Sequence, residues 1–206
     1  EGAVAFRFSF PFGKAPETTL QAPSAKERSA TDVVCPMYPP IADIVEWADW
    51  AEATGKDDRP LLLCEYSHAM GNSNGSLSAY VEAFFERPAI AGGFIWDWRD
   101  QGLAETDENG RFYWAYGGHF GDEPNDANFN INGLVGPDGS PHPALREYQW
   151  AARPVTATRD ASNVITLENR RAFADTSDLD LHWSLLRDGV MIESGIEHPE
   201  IAAGET

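Results

Sequence analysis

Residues 59–73 read RPLLLCEYSHAMGNS, and this stretch decides both the fold and the chemistry that we expect. The apolar run at 61–64 predicts a buried strand, and Glu65 follows it directly. A polar loop comes next, with His68 three residues after Glu65. A charged carboxylate at the exit of a buried strand is costly unless something uses it. Glu65 is therefore the first candidate for a catalytic group.

Two further apolar runs, at 32–35 and 90–96, predict strands on either side of this one. The three runs start at residues 32, 61 and 90, and helical spacing fills the gaps at 41–54 and 77–84. Repeated strand–helix units predict a parallel sheet of the (β/α)₈ TIM-barrel type. Three strands cannot close a barrel, so we expect residues 1–153 to be its C-terminal portion, with 1–31 an irregular insertion or loop.

The pattern changes after a predicted helix at 143–152. Period-2 runs at 155–158, 164–167 and 179–185 predict antiparallel strands. We expect residues 154–206 to be a truncated β-sandwich domain, because about four strands are too few for a complete one. Both ends of the chain are expected to be cut.

Composition narrows the classes of partner. The formal net charge is −18, which repels phosphate backbones and anionic membranes, so we expect no nucleic-acid and no membrane partner. No apolar run approaches the roughly 20 residues that a bilayer-spanning helix needs. The start lacks a signal peptide's basic region. Cys35 and Cys64 are predicted to be reduced core thiols of a cytoplasmic protein, with a disulfide between neighbouring strands as the alternative.

The C-terminal ends of the predicted parallel strands carry Tyr38, Glu65 with His68, and Trp96 with Asp97. Those ends share one edge of a barrel, where its chemistry lies. Glycoside hydrolysis needs two carboxylates, about 5–5.5 Å apart in a retaining enzyme. Glu65 is one candidate and Asp97 the obvious second, with Glu1 more distant.

Glu65 also has a purely structural alternative, which is an ion pair with Arg59 or Arg99. A rival catalytic interpretation comes from residues 71–75, GNSNG, which match the nucleophile elbow of serine hydrolases with Ser73 as nucleophile. Ser73 lies eight residues beyond Glu65, however, whereas the elbow needs its serine directly after the strand.

Residues 122–133, DEPNDANFNING, are dense in oxygen donors. Pro124 stands where an EF-hand needs a ligand, so this loop predicts either another hard-cation site or a solvated loop held by Asx turns. His119 and His142 lack the spacing of a zinc site. One of Trp96 and Trp98 is predicted to be a core residue.

Several segments resemble the large bacterial β-galactosidases of glycoside hydrolase family 2, in the same order. They are CPMY at 35–38, RPLLLCEYSHAMGNS at 59–73, GGFIWDWRDQ at 92–101, YGGHFGDEPND at 116–126, INGLV at 131–135 and PHPAL at 141–145. The match is nearly continuous from Thr31 to about Pro154 and looser beyond, while residues 3–30 follow the family poorly. The resemblance implies the last third of a catalytic barrel and the start of an immunoglobulin-like domain.

The resemblance also implies roles for single residues. Glu65 falls on the nucleophile of a retaining mechanism with a covalent galactosyl-enzyme. The implied substrate contacts are Glu65, Tyr66, Ser67, His68, Tyr38, Trp96 and Asn132. The implied metal ligands are the Phe129 carbonyl and Asn132 for Na⁺, and Asn125 for a peripheral Mg²⁺.

The resemblance places the acid/base residue and the main Mg²⁺ ligands upstream of this chain. The implied partners are a β-galactoside, the upstream remainder of the enzyme and, in the complete protein, further copies in a homo-oligomer, the family's tetramer. We expect the chain alone to be nearly inactive. Residues 35–38 and 141–145 favour this branch over the related β-glucuronidases, and a non-catalytic carbohydrate-binding or assembly fragment stays open as an alternative.

Overall fold

The computed structural model describes residues 31–206, so the predicted irregular segment lies outside the described residues except for Thr31. The chain divides into two compact units, the first ending at Ala151 and the second beginning at Ala152. None of the helices in the described part of the chain has both the length and the apolar character needed to cross a bilayer.

The first unit begins with alternating helices and strands. Helix α1 (Ile41–Thr54) precedes strand β1 (Leu61–Tyr66), and helix α2 (Leu77–Glu86) precedes strand β2 (Ile90–Ile95). Both helices and both strands were predicted, and β1 pairs with β2 in parallel as repeated strand–helix units require. Gly55 ends α1 in the left-handed conformation, donating its N–H to Ala51 O at 2.8 Å.

The predicted strand at 32–35 is wrong as a continuous element. This segment lies parallel to β1 but pairs with it only through isolated bridges, Val34 with Leu61 and Met37 with Glu65. The physical reason is Pro36, which lies between the two bridges and has no N–H to continue the ladder.

The hydrophobic core of the first unit forms where α1 and α2 cover β1 and β2. Leu61 and Leu63 of β1 are 2% and 0% exposed. Gly93 of β2 faces them, and a Cβ placed there would lie 2.8 Å from Leu63 Cβ, so only glycine permits this strand spacing. The buried residues of this core are Val34, Ile44, Trp47, Ala48, Ala51, Leu61, Leu63, Tyr66, Leu77, Ala83 and Ile90.

Strand β1 is irregular at its C-terminal end. Strict alternation would direct Glu65 to the same face as Leu61 and Leu63. The register with β2 shifts between Leu63 and Tyr66, however, and Tyr66 joins the core at 1% exposure while Glu65 stays half-buried. The shift therefore keeps a carboxylate out of the apolar core and buries an aromatic ring in its place.

The rest of the first unit carries loops and one hairpin. Strands β3 (Leu103–Thr106) and β4 (Phe112–Ala115) form an antiparallel hairpin, and helix α3 (Pro143–Ala151) forms as predicted. A short 3₁₀ helix (Ala127–Asn130) lies within the oxygen-rich loop.

The second unit consists of two antiparallel hairpins. Strand β5 (Val155–Arg159) pairs with β6 (Ile165–Asn169), and β7 (Leu181–Arg187) pairs with β8 (Val190–Glu197). Its buried side chains are all polar: Thr156, Asn169 and Thr176. The Asn169 amide donates to Ala174 O at 2.9 Å and Ile201 O at 3.0 Å, so it ties the end of β6 to the C-terminal segment.

Both cysteines are free thiols, which excludes the alternative of a disulfide in this structure. Cys35 is exposed, so its prediction as a core thiol is wrong, because its segment does not enter the sheet as a strand. Cys64 is half-buried and directs its S–H to Pro36 O at 3.4 Å. Burial, followed by the neighbouring Cys35, raises the pKa of Cys64.

Candidate active site

A cavity of about 630 Å³ opens at the C-terminal ends of β1 and β2. This is the edge where the predicted barrel would hold its chemistry. The lining residues are Met37, Tyr38, Glu65, His68, Trp96, Gln101, Gly117, Asp122, Asn125, Asp126, Ala127, Phe129, Asn130 and Asn132. The structure therefore brings seven predicted site residues to one cavity, namely Tyr38, Glu65, His68, Trp96, Asn125, Phe129 and Asn132.

Glu65 enters this cavity from the irregular end of β1. Its carbonyl accepts the N–H of Tyr38 at 3.0 Å, which fixes the backbone on one side. The predicted alternative of an ion pair is not realised, since no salt bridge reaches Glu65 from any residue between 31 and 206. Arg59 instead binds the Asp57 carboxylate at 2.6 Å. The Glu65 carboxylate is therefore left available to a ligand.

Tyr38 lies beside Glu65 in a backbone conformation that few residues other than glycine adopt, with φ of 50°. Its hydroxyl is buried and faces the Glu65 carboxylate, but it forms no hydrogen bond of good geometry with any residue from 31 to 206. Burial, followed by the Glu65 carboxylate, raises the pKa of Tyr38 well above its ordinary value. Tyr38 therefore stays protonated at neutral pH and can donate towards the carboxylate or a ligand.

His68 is held by the loop that follows β1. Ser67 takes φ of 52°, and Asn74 Nδ2 donates to Ser67 O at 2.6 Å. Ala69 N donates to Trp96 O at 2.8 Å, which ties this loop to the end of β2. Burial lowers the pKa of His68, and the Glu65 carboxylate opposes that shift. A neutral imidazole is suited to hydrogen bonding with hydroxyl groups.

Asn132 is the most buried polar residue of the cavity, at 2% exposure. Its Nδ2 donates to Phe129 O at 2.8 Å and lies 3.5 Å from His68 Nε2. Its Oδ1 is buried without a hydrogen-bond partner in the described part of the chain. An unpaired buried oxygen costs about 1–3 kcal/mol, and the Asn132 Oδ1 is therefore able to accept from a hydroxyl group or to coordinate a cation.

The unpaired oxygens cluster at this cavity. Three buried side-chain oxygens of cavity residues have no hydrogen-bond partner among residues 31–206, and they belong to Tyr38, Asn130 and Asn132. Neutral oxygen donors with a nearby main-chain carbonyl suit a hard cation such as Na⁺. No group of three or more His, Cys, Asp or Glu residues suited to a metal occurs between residues 31 and 206.

Asp97 does not line this cavity, although Trp96 does. Strand β2 ends at Ile95, so strand alternation no longer governs these two side chains. The Asp97 carboxylate accepts the N–H of Trp98 and the Gln101 Nε2–H, the latter at 2.9 Å. Trp98 is 54% exposed and Trp96 lines the cavity, so the prediction that one of the two is a core tryptophan is wrong.

Two substrate contacts implied by the resemblance are not brought to the cavity. Tyr66 points into the core, where its ring packs 5.2 Å from that of Tyr80. Ser67 shapes the loop instead, as its carbonyl accepts from Asn74. Glu1, the distant candidate for a second carboxylate, lies outside the described residues.

The serine-hydrolase interpretation finds no support in the loop. Ser73 Oγ donates to the main-chain carbonyl of His68, not to an imidazole nitrogen. A serine nucleophile needs a base that accepts its proton, and a main-chain carbonyl cannot act as one.

Sequence reasoning missed Met37, Gln101 and Asn130 as cavity residues, and it took Asp122 and Asp126 only as part of an oxygen-rich loop. Asp122 accepts the Gly118 N–H at 2.9 Å, and Asn125 Nδ2 donates to Asp122 O at 2.8 Å. The many Asn and Asp residues after Gly121 indicated a polar site in this loop. Nothing in the sequence pattern, however, indicates that the loop folds back over the strand ends.

Comparison with known proteins places the sequence in a family. A family model described as "Glycosyl hydrolases family 2, TIM barrel domain" matches residues 17–157, and one described as "Beta-galactosidase, domain 4" matches residues 165–206. Proteins named beta-galactosidase from Photobacterium profundum and Aeromonas hydrophila are 45% and 46% identical over 179 and 176 residues. One from Pseudoalteromonas haloplanktis is 45% identical over 183 residues. These alignments cover 81% of this chain but only 17–18% of each relative.

Proposed function

The chain belongs to family 2 of the glycosyl hydrolases, and on that premise we propose that it supplies the nucleophile side of a retaining β-galactosidase active site. The observation that carries the proposal is the position of Glu65 beside three residues with unpaired buried oxygens, Tyr38, Asn130 and Asn132. A sugar is a ligand dense in hydroxyl groups, which both donate and accept. Such a ligand satisfies these oxygens without adding charge.

Glu65 acts as the nucleophile in this proposal. One carboxylate oxygen attacks the anomeric carbon, the bond to the leaving oxygen breaks, and an acid/base residue outside this chain protonates that oxygen. Water, deprotonated by the same residue, then attacks the galactosyl-enzyme and releases the sugar with retained configuration. The Glu65 carboxylate is regenerated.

The other cavity residues bind and orient the sugar. Tyr38, protonated at neutral pH, donates towards the nucleophile and limits its charge before attack. His68 and Asn132 meet sugar hydroxyls, and bonds that strengthen as positive charge develops at the anomeric carbon lower the barrier. Trp96 forms an apolar wall.

Two cations fit the proposal. The Phe129 carbonyl and the unpaired Asn132 Oδ1 would hold Na⁺. The family resemblance alone assigns Asn125 to a peripheral Mg²⁺ site. Phe129 and Asn132, with Na⁺ between them, would supply a positive charge that attracts a sugar hydroxyl and helps to orient the substrate.

The remaining parts of the proposal concern the complete protein. We propose that residues 1–153 complete a (β/α)₈ barrel with upstream polypeptide, and that residues 154–206 begin an immunoglobulin-like β-sandwich. The chain spans about 17% of the length of the relatives that it matches. On the family resemblance, we assign the acid/base residue and the main Mg²⁺ ligands to the upstream part of the complete protein. Homo-oligomerisation and a cytoplasmic location stay predictions.

Hydrolysis of nitrophenyl β-galactoside tests this proposal. The chain is assayed alone and after mixing with the upstream polypeptide, with Glu65→Gln as the test variant and Glu82→Gln, an exposed glutamate on α2, as the matched control. We expect activity only in the mixture, lost in Glu65→Gln and kept in Glu82→Gln. Well-folded mixtures that bind galactosides but never hydrolyse them would instead support the non-catalytic binding fragment.

A further inference from the structure

We propose that Asp100 and His142 are positioning residues that place Asn132 for substrate by holding the peptide unit of its neighbour, Gly133. Neither residue lines the cavity that contains Glu65. The inference rests on the proposed function, because the placement of Asn132 matters only if this cavity binds a sugar.

Three contacts form a closed ring around Gly133. The Gly133 N–H donates to Asp100 Oδ1 at 2.6 Å. The Gly133 carbonyl lies 3.0 Å from His142 Nδ1, and His142 Nε2 lies 3.4 Å from Asp100 Oδ2. Both polar atoms of Gly133 are therefore held by side chains that also contact each other.

The burial of Asp100 shows that its contacts with Gly133 and His142 are required by the fold. Asp100 is 5% exposed, and an isolated buried carboxylate is strongly disfavoured unless it is bonded. Its partners are the Gly133 N–H and His142, one on each oxygen. A hydrogen bond from a main-chain N–H to a charged acceptor is stronger than a neutral one, so the contact resists displacement of Gly133.

The main chain on both sides of Gly133 is fixed to the segment that carries Asp100. Asp97 N donates to Asn132 O at 2.6 Å, and Leu134 N donates to Asp97 O at 2.9 Å. Residue 133 must be glycine, since a Cβ there would lie 2.2 Å from Asp100 N. Asn132 is thus attached to a backbone that the Asp100 carboxylate and the main chain of Asp97 hold together.

The consequence for the cavity concerns two oxygens. Asn132 can direct its unpaired Oδ1 to a ligand only while its Nδ2 stays on Phe129 O, and that contact depends on where residue 132 lies along the loop. If Gly133 were held less firmly, Asn132 Oδ1 and Phe129 O could both move relative to the cavity. Asp100 and His142 therefore affect ligand binding in the cavity indirectly, through the backbone of residues 132 and 133.

His142 is accessible from a different side. Its side chain is 39% exposed and lines a second cavity of about 540 Å³, together with Asn74 and Glu147. A substitution at His142 can therefore be made without introducing atoms into the cavity of Glu65.

The test measures the Kd of a non-hydrolysable β-thiogalactoside for the complete protein, this chain with its upstream polypeptide. We expect Asp100→Ala to raise the Kd at least ~10-fold in the folded protein, because the Gly133 N–H loses a charged acceptor. Asp100→Asn keeps an acceptor and should raise it less. The matched control is Asp138→Ala, since Asp138 is exposed and accepts only the turn N–H of Ser140 on the same segment.

Loss of folded protein alone would not move the Kd of the fraction that remains folded, so this readout separates positioning from stability. An Asp100→Ala protein that binds with the wild-type Kd overturns the inference. If Asp100→Ala does not fold, His142→Gln decides: a Kd raised several-fold supports the pair, and an unchanged Kd overturns it. A wild-type protein that neither binds nor hydrolyses β-galactosides would refute the proposed function instead.

Discussion

The two units of this chain bury different kinds of side chain within residues 31–206. In the first unit, aliphatic and aromatic side chains such as Leu63 and Ile44 are fully buried between helices and strands. In the second unit no apolar side chain is buried, and Asn169 and Thr176 occupy the interior at 0% and 1% exposure. Burial of apolar surface holds the first, whereas side-chain hydrogen bonds to the main chain organise the second.

The difference explains where the chemistry lies. An apolar core holds strand ends firmly enough to keep a carboxylate and unpaired oxygens in place around a cavity. The buried polar groups of the second unit are themselves bonded: Thr176 Oγ1 accepts the Ile201 N–H at 2.9 Å. The buried polar side chains of the second unit form hydrogen bonds within that unit. In the first unit, some buried polar atoms remain available to a ligand.

The largest expected effect tests whether the catalytic function belongs to the first unit. Glu65→Gln should reduce kcat/KM of the complete enzyme by at least about 10³-fold, because the amide cannot form the glycosyl-enzyme. Steady-state hydrolysis of nitrophenyl β-galactoside measures it. A residual rate within tenfold of wild type would remove Glu65 from the mechanism.

The next effect concerns the apolar core. Leu63→Ala should lower the free energy of unfolding of the first unit by about 2–5 kcal/mol, since it leaves a cavity beneath α1 and α2. Hydrogen exchange of the β1 amides in the complete protein reports it locally. Leu103→Ala, at a leucine 60% exposed, serves as the control and should change exchange little.

The second unit should show the reverse order of side-chain importance. Asn169→Ala removes the donors to Ala174 O and Ile201 O and should cost about 1–3 kcal/mol. In this chain by itself, Leu185→Ala in β7 should cost less, because that leucine is 52% exposed there. Hydrogen exchange across β5 to β8 compares them, and a larger effect for Leu185 would contradict the polar-interior account.

The smallest effect sharpens the role of the cavity oxygens. Tyr38→Phe removes one neutral donor beside Glu65 and should lower kcat/KM roughly tenfold or less. Because burial and Glu65 raise the pKa of Tyr38, the phenol stays protonated and the effect should be constant from pH 6 to 9. A loss that appears only at alkaline pH would indicate that Tyr38 titrates there.

The sequence predicted most of the first unit because apolar periodicity decides it. Helix α1 ends at Thr54 as the helical spacing indicated, and β1 and β2 pair as repeated strand–helix units should. The predicted strand at 32–35 was wrong because Pro36 has no N–H with which to continue the hydrogen-bond ladder beyond a short apolar run. The hairpins of the second unit followed from alternation and turn residues, but the burial of Asn169 did not.

Two sources predicted the residues of the candidate site: the positions of the strand ends and the resemblance to the family. Neither could show that β1 shifts register before Tyr66, which sends that side chain to the core and keeps Glu65 out of it. The packing of residues 122–132 beside the strand ends was also hidden, since it depends on contacts distant in sequence. Asn130 and its unpaired oxygen therefore appear only in the structure.

Covalent trapping tests the central claim most directly. The complete enzyme is incubated with a 2-deoxy-2-fluoro-β-galactoside carrying a good leaving group, which slows release of the glycosyl-enzyme, and the labelled peptide is sequenced by mass spectrometry. The account predicts one added fluorogalactosyl group, on Glu65. A label on Asp97, Asp122 or another carboxylate, with Glu65 unmodified in inactivated enzyme, would contradict it.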